Sequence, residues 1–257
     1  MFAIERHEKL LDYINQKKKA SVKELSNCFN VSRVTIRRDL EELSQRGLVI
    51  KTHGGVLSIN NNFSSEIPYE RKFSLNMEAK KKIGHTAALM VEENDVVILD
   101  AGSTTLEIAA HLRPLKNITV ITNDLKIAMT LAHKPGITLI VTGGMQEKSV
   151  YTLTGSAAEE FFSKVRVNKT FLGADAISLD YGITNRTIQE IPVKKAMMKS
   201  AEEIILVADH SKLNKKVFAF LCELKDINKI VIDKIDCEAK KALMEIGIQV
   251  MVADTDA

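Results

Sequence analysis

Before residue 50 the apolar positions recur three times at helical spacing. Leu10, Leu11 and Ile14 mark a first helix. The stretch SVKELSNCF opens with Ser21 in an N-cap position and offers Val22, Leu25 and Phe29 to a core, which predicts a second, short helix. A tight turn through Asn30 and Val31 follows. Ser32 then caps a third helix, SRVTIRRDLEELSQRG, which stops at Gly47. Its inward stripe is Ile36, Leu40 and Leu43, and at about 100° of rotation per residue Val34, Arg37 and Arg38 face the other way. In LVIKTHGGVL, apolar residues flank His53, Gly54 and Gly55, which predicts two short strands joined by a glycine turn.

Further along, helix and strand patterns alternate. A helix around Glu78 to Val91 presents Ile83, Ala87 and Val91. Short apolar runs at 96–100, 118–122, 137–142, 169–173, 204–209, 229–233 and 248–253 read as strands, and helical segments such as 156–165 and 190–201 separate most of them. That order predicts an α/β domain whose mostly parallel sheet is covered on both faces. Between the two patterns, SINNNFSSE clusters Ser and Asn without periodicity, as a linker does. The organisation read from the chain is a small, mainly α N-terminal domain over 1–57, a linker over 58–68 and an α/β domain over 69–257.

Composition narrows the classes. Hydrophobic residues make up 45% of the 257 positions and charged ones 27%. No uncharged apolar run approaches the ~18 residues needed to span a bilayer, and the N-terminus lacks the continuous apolar core of a secretory signal. The expected compartment is the cytoplasm, with no membrane partner. Cys28, Cys222 and Cys237 are too scattered for a disulfide framework or a zinc site and read as small buried hydrophobes. The six histidines show no metal-collecting spacing, so neither a metal nor another cofactor is expected.

Charge is unevenly placed. Residues 1–57 hold 11 Lys and Arg against 7 Asp and Glu, whereas the remainder holds 25 against 26. The basic excess points to a polyanion contact in the first segment. Two arginines on the exposed N-terminal half of a helix, after a short helix and a tight turn, are arranged as in a recognition helix entering the major groove. The candidate DNA contacts are Arg33, Thr35, Arg37 and Arg38 on that helix, with Lys51 and His53 of the hairpin, a wing, reaching the phosphate backbone.

The order Arg6, Leu10, Ile14, then Ser32, Thr35, Ile36, Arg37, Arg38, Asp39 and Leu40 resembles the N-terminal signature of the DeoR family of bacterial transcriptional repressors. The resemblance implies a winged helix-turn-helix, double-stranded operator DNA as partner, and Thr35 to Arg38 facing it. Asp39 falls near the buried edge of the helix, so its expected role is intramolecular, with Arg6 a candidate partner.

In open parallel sheets ligands gather where the strands end. Those positions hold Asp100 to Thr105, Asn123, Gly143 and Gly144, Asp175, and Asp209 to Lys212. Gly102, Ser103, Thr104 and Thr105 stand at a helix start, where free backbone N–H groups and the helix dipole favour an anion and the hydroxyls add donors. A phosphate is expected there. Asp100 suits sugar hydroxyls, and Lys212 or Lys194 is placed to neutralise the phosphate; Glu190 completes the candidate effector set.

The runs LDAGSTT, ITND, TGG, FLGADAIS, GITN, QEIPVKKAM and ADHSK follow in the order found in DeoR-family sensor domains, which are similar to the ribose-5-phosphate isomerase and CoA transferase folds. This resemblance implies a repressor of carbohydrate-utilisation genes, released from DNA by a phosphorylated sugar. Isomerases carry Asp-Gly-Ala-Asp-Glu where this chain has Leu172, Gly173, Ala174, Asp175 and Ala176, and no lysine stands between Asp175 and Lys194. Proton transfer needs a poised base with a partner acid, so binding without turnover is expected. The rival reading is a phosphosugar isomerase carrying a DNA-binding module. The residues do not separate activation from repression, and a palindromic operator calls for a homo-oligomer, dimer or tetramer.

Overall fold

The computed structural model describes residues 3–45, 48–52, 54–58, 67, 69–148 and 150–254. They fall into two compact units, 1–72 and 73–257. The first begins with α1 (Ala3–Lys17), β1 (Lys19–Ser21), α2 (Val22–Phe29) and α3 (Arg33–Gln45), followed by β2 (Val49–Thr52) and β3 (Gly55–Ser58). Leu10 and Ile14 of α1 pack with Leu25, Ile36, Leu40, Leu43 and Val56 into one core, so each amphipathic stripe read from the sequence faces inward. A reciprocal capping box starts α2: the Ser21 hydroxyl accepts the Glu24 N–H at 3.1 Å and the Glu24 carboxylate accepts the Ser21 N–H at 3.3 Å. Asn30, left-handed at φ 53°, ends it, and Ser26 closes the turn by donating its hydroxyl to the Val31 carbonyl at 2.7 Å. The Ser32 hydroxyl accepts the Thr35 N–H at 3.1 Å and caps α3.

The expected two-stranded wing is a three-stranded antiparallel sheet in the order β1-β3-β2. Strand β1 is three residues long and begins on the last of a lysine run, too short for its alternation to mark a strand; only pairing with β3, far along the chain, makes it one. That pairing needs glycine at 55, because a Cβ there would collide with the Ala20 carbonyl oxygen. His53, the stop at Gly47, and the linker residues 59–66 and 68 lie outside the described residues; Ser58 ends β3 and Ile67 is buried.

Next come α4 (Tyr69–Ser74), α5 (Met77–Ala88), β4 (Val96–Leu99), α6 (Ser103–His111), β5 (Ile118–Thr122), α7 (Leu125–Leu131), β6 (Ile137–Val141), β7 (Met145–Gln146), β8 (Leu153–Thr154), α8 (Ser156–Ser163), β9 (Val167–Gly173), β10 (Ala176–Ser178) and β11 (Gly182–Asn185). Then follow α9 (Glu190–Ser200), β12 (Ala201–Val207), β13 (Ala219–Cys222), β14 (Lys229–Ile232), α10 (Cys237–Glu245) and β15 (Gln249–Val252). The seven strands read from the sequence form one sheet, β15-β14-β12-β9-β4-β5-β6, and every pairing in it is parallel.

Successive strand residues point to opposite faces, and two cores result. Val97, Leu99, Phe171 and Val207 meet Ile83, Ile108 and Ile127 of α5, α6 and α7. Ile98, Leu172, Leu206 and Ile230 meet Phe162, Val193, Met197 and Leu243 of α8, α9 and α10. Strands β10, β11 and β13, which the apolar pattern did not mark, form a small antiparallel sheet. All three are short; β10 and β11 carry Ser, Thr and Asn and close as a hairpin, and β11 pairs with β13 from far along the chain. Of the three cysteines expected to be buried only Cys222 is; Cys28 and Cys237 are exposed.

Candidate functional site

On the first unit, α3 presents Arg33, Arg37 and Arg38 to solvent beside Val34, which is 75% exposed. Thr35 is half-buried and its hydroxyl lies 2.9 Å from that of Ser32, so part of its hydrogen-bonding capacity serves the cap. Arg38 stands 3.4 Å from Glu42 on the same helix. Lys51 of β2 pairs with Glu41, so in this structure its ammonium braces the wing against α3. Asp39 faces inward as its helical position required: Arg6 donates to both carboxylate oxygens at 2.6 and 3.0 Å, and His7 Nε2 lies 3.1 Å away. Burial works against ionisation of Asp39, yet Arg6 and His7 hold its carboxyl below the usual range.

In the second unit the strand order reverses between β4 and β9. The chain runs from β4 outward through β5 and β6, then returns to β9 on the other flank of β4 and continues outward through β12 and β14. Connections after β4 and β9 therefore leave toward opposite faces, opening a crevice where such sheets bind ligands. Asp100 follows β4 and is 1% exposed. Its Oδ2 accepts the Gly173 N–H at 2.9 Å and pairs with the Lys194 ammonium, which reaches in from α9 and also donates to the Gly173 carbonyl at 3.1 Å. Burial opposes the charge on Lys194, but Asp100, Glu190 and Asp175 together hold it above the ordinary lysine range.

One wall of the crevice is the start of α6. Gly102 is its N-cap and offers no side chain to the first turn, whose N–H groups have no acceptor within the helix. Thr105 is fully buried and donates its hydroxyl to the Gly102 carbonyl at 2.9 Å. Its expected part as a donor to the anion is thus taken by the turn. Asn123 holds this loop from the side, accepting the Ala101 N–H at 3.1 Å and donating to the Leu153 carbonyl at 3.0 Å.

Sequence reasoning missed Asp124, although an acid between a strand and a helix marks an N-cap. It caps α7 through the Lys126 and Ile127 N–H groups at 2.7 and 3.0 Å, and the Gly102 N–H also bonds to it. Burial pushes its carboxyl up to about 6 against those three bonds, and the Asp100 charge adds to the rise.

The far wall is acidic. Asp175 accepts the Arg186 N–H at 3.0 Å, and Glu190 accepts the Asn185 side-chain amide at 3.1 Å. Asp100, Asn123, Asp175, Glu190, Lys194 and the Gly102–Thr105 turn are thus brought together. Gly143 is exposed beyond the end of β6. Lys212 sits in the turn His210–Lys212 beside Asp209. Burial disfavours the Asp209 charge, but Ser211, Lys212 and Asn76 hold its carboxyl below the usual range. Leu172 and Ala176, standing where isomerases carry acids, are fully buried, Leu172 within the apolar core.

A helix-turn-helix with an arginine-bearing outer face, followed by a parallel sheet with a polar crevice at its switch point, is the plan of a transcriptional regulator that couples a DNA-binding head to a sensor domain. The model of the DeoR-like helix-turn-helix domain matches residues 6–62 and that of the DeoR C terminal sensor domain matches 75–234, so the chain belongs to the DeoR family. It is 35% identical over 251 residues to the uncharacterized HTH-type transcriptional regulator YulB of Bacillus subtilis (strain 168), covering 97% of this chain and 96% of that one. To the HTH-type transcriptional repressor GlcR of the same strain it is 33% identical over 259 residues, covering 100% and 98%. Among solved structures it is similar to ribose 5-phosphate isomerase A from Methanocaldococcus jannaschii, with 20% identity, 54% and 55% coverage and a TM-score of 0.40.

Proposed function

We propose that this regulator is a cytoplasmic repressor of carbohydrate-utilisation genes that leaves its operator when a phosphorylated sugar enters the crevice between β4 and β9. The observation that carries this reading is the start of α6 at the switch point: a first turn of helix with no side-chain cap, set beside the buried Asp100–Lys194 pair. Helix N-termini favour phosphate through their N–H groups and dipole. The effector binds the DNA-competent and DNA-incompetent states with different affinity and shifts the population between them. A palindromic operator requires at least a dimer.

The same crevice supports sensing without turnover. Leu172 and Ala176 are buried and leave Asp175 without the neighbouring acids of an isomerase. Neither a metal nor another cofactor is part of this reading, and no described helix is long and apolar enough to cross a membrane.

The test is a mobility shift with the DNA upstream of the chain's own gene, titrated with a panel of sugar phosphates. One or more should release the DNA while leaving the sugar phosphate unchanged. Operator binding indifferent to the whole panel overturns the effector assignment, and turnover that disappears in Asp175→Ala overturns the sensing one.

A further inference from the structure

Asn185 closes β11 and is 2% exposed. Its amide nitrogen donates to Glu190 Oε2 at 3.1 Å, which settles which way the amide faces, since the reversed orientation would set its oxygen against a carboxylate. The oxygen that results, Oδ1, is buried and has no hydrogen-bond partner among the described residues; the buried Thr187 hydroxyl, two residues on, has none either. Orphaned buried acceptors are rare in folded proteins, and each calls for an explanation.

Their place supplies one. Glu190, which holds the Asn185 amide, is one of the charges acting on Lys194, and Lys194 is paired with Asp100 at the mouth of α6. The second such acid, Asp175, accepts the N–H of Arg186, the residue between the two orphans. The crevice therefore has two chemically unlike ends. Around α6 it offers N–H donors; at Asn185 and Thr187 it offers acceptors.

Resting on the phosphate-at-α6 reading, we infer that Asn185 Oδ1 and the Thr187 hydroxyl accept hydrogen bonds from hydroxyls at the end of the effector remote from its phosphate. The ligand class is a polyhydroxy monophosphate. Asn185 is then a specificity-determining residue, and the mismatch of an unpaired buried acceptor is what rejects ligands lacking the hydroxyl.

The test is calorimetric titration of the full chain with inorganic phosphate, with ribose 5-phosphate, glucose 6-phosphate and fructose 6-phosphate, and with deoxy analogues of the tightest binder. The expected result is a monophosphate that binds at least about tenfold tighter than inorganic phosphate and loses about tenfold when its remote hydroxyl is removed. Asn185→Leu should erase that preference while inorganic phosphate binds as before. Thr187→Val, a change of shape-matched side chain, should reduce it by about threefold and keeps the test open if the first variant does not fold. A preference that survives in both variants overturns the inference. Sugar phosphates binding no better than inorganic phosphate also overturn it while leaving the anion site standing; no binding by any of these probes overturns the phosphate reading itself.

Discussion

Lys194 and Asp100 reach the crevice from different connections of the sheet and form an ion pair there with almost no solvent on either, 4% and 1% of their side chains being exposed. One sits on α9 beside the apolar layer of Val193 and Met197, the other at the tip of β4. The pair joins the two connections that diverge at the switch point.

Removing one member strands a buried charge. Lys194→Met is expected to cost the sensor unit about 3–5 kcal/mol, and Lys194→Met with Asp100→Asn substantially less, because the second change removes the orphaned charge. Denaturant unfolding of the three proteins checks this; equal losses in the single and double variants would show that packing, and not charge, is what matters. It also means that Asp100→Ala is a poor probe of ligand binding, since it perturbs the frame first.

Arg37→Ala combined with Arg38→Ala should abolish operator binding while both units stay folded. A bidentate hydrogen bond to a base is worth about 1–3 kcal/mol of discrimination, and a bond to a phosphate contributes to the salt dependence of binding. Fluorescence anisotropy with operator DNA at two salt concentrations distinguishes these contributions, and wild-type affinity at moderate salt would sink the assignment of α3 as the recognition helix.

For Asp39 the folded carboxyl titrates below its unfolded value of about 3.9. An acid shifted down contributes stability that is fully present above the unfolded value and is lost as pH falls through the folded one. The DNA-binding unit should therefore lose stability below about pH 4, and Asp39→Asn should be less stable at neutral pH and lack that acid limb. Circular dichroism melts from pH 2 to pH 7, monitored on this unit, test it; parallel curves for both proteins refute the Arg6–Asp39 account.

Asp124 has the opposite sign. Its folded carboxyl is raised to about 6 by burial, so the folded state holds the proton more tightly than the unfolded one, and stability declines as pH rises from about 4 to about 6. Asp124→Asn keeps an oxygen for the Lys126 and Ile127 N–H groups and should flatten that slope, gaining about 1–2 kcal/mol at pH 7. An unchanged slope in the sensor unit would remove Asp124 as its source.

What could be read from the sequence depended on how local the signal was. Ile36, Leu40 and Leu43 repeat at the helical period, so α3 and the outward turn of its arginines were legible, and so was the inward turn of Asp39. The seven sheet strands are continuous apolar runs because helices cover both faces. Strands β1, β10 and β11 were silent: each is at most four residues and becomes a strand only through its pairing partners. In the crevice the strand-end rule found Asp100, Asn123 and Asp175 but not Asp124 or Asn185. The significance of Asp124 lies in a bond to Gly102 across a neighbouring loop, and that of Asn185 in a bond it lacks. Thr105 misled for a similar reason, since a hydroxyl at a helix start turns inward as readily as toward a ligand.

Asn123 ties the Ala101 backbone to that of Leu153 through one side-chain amide. The loop before α6 and the strand β8 are consequently not independent moving parts. Any ligand that draws the Gly102 turn toward itself either breaks this tie or carries the backbone around Leu153 along, so the crevice responds as a hinged block. Hydrogen exchange at Ala101 and at the backbone around Leu153 should then slow together.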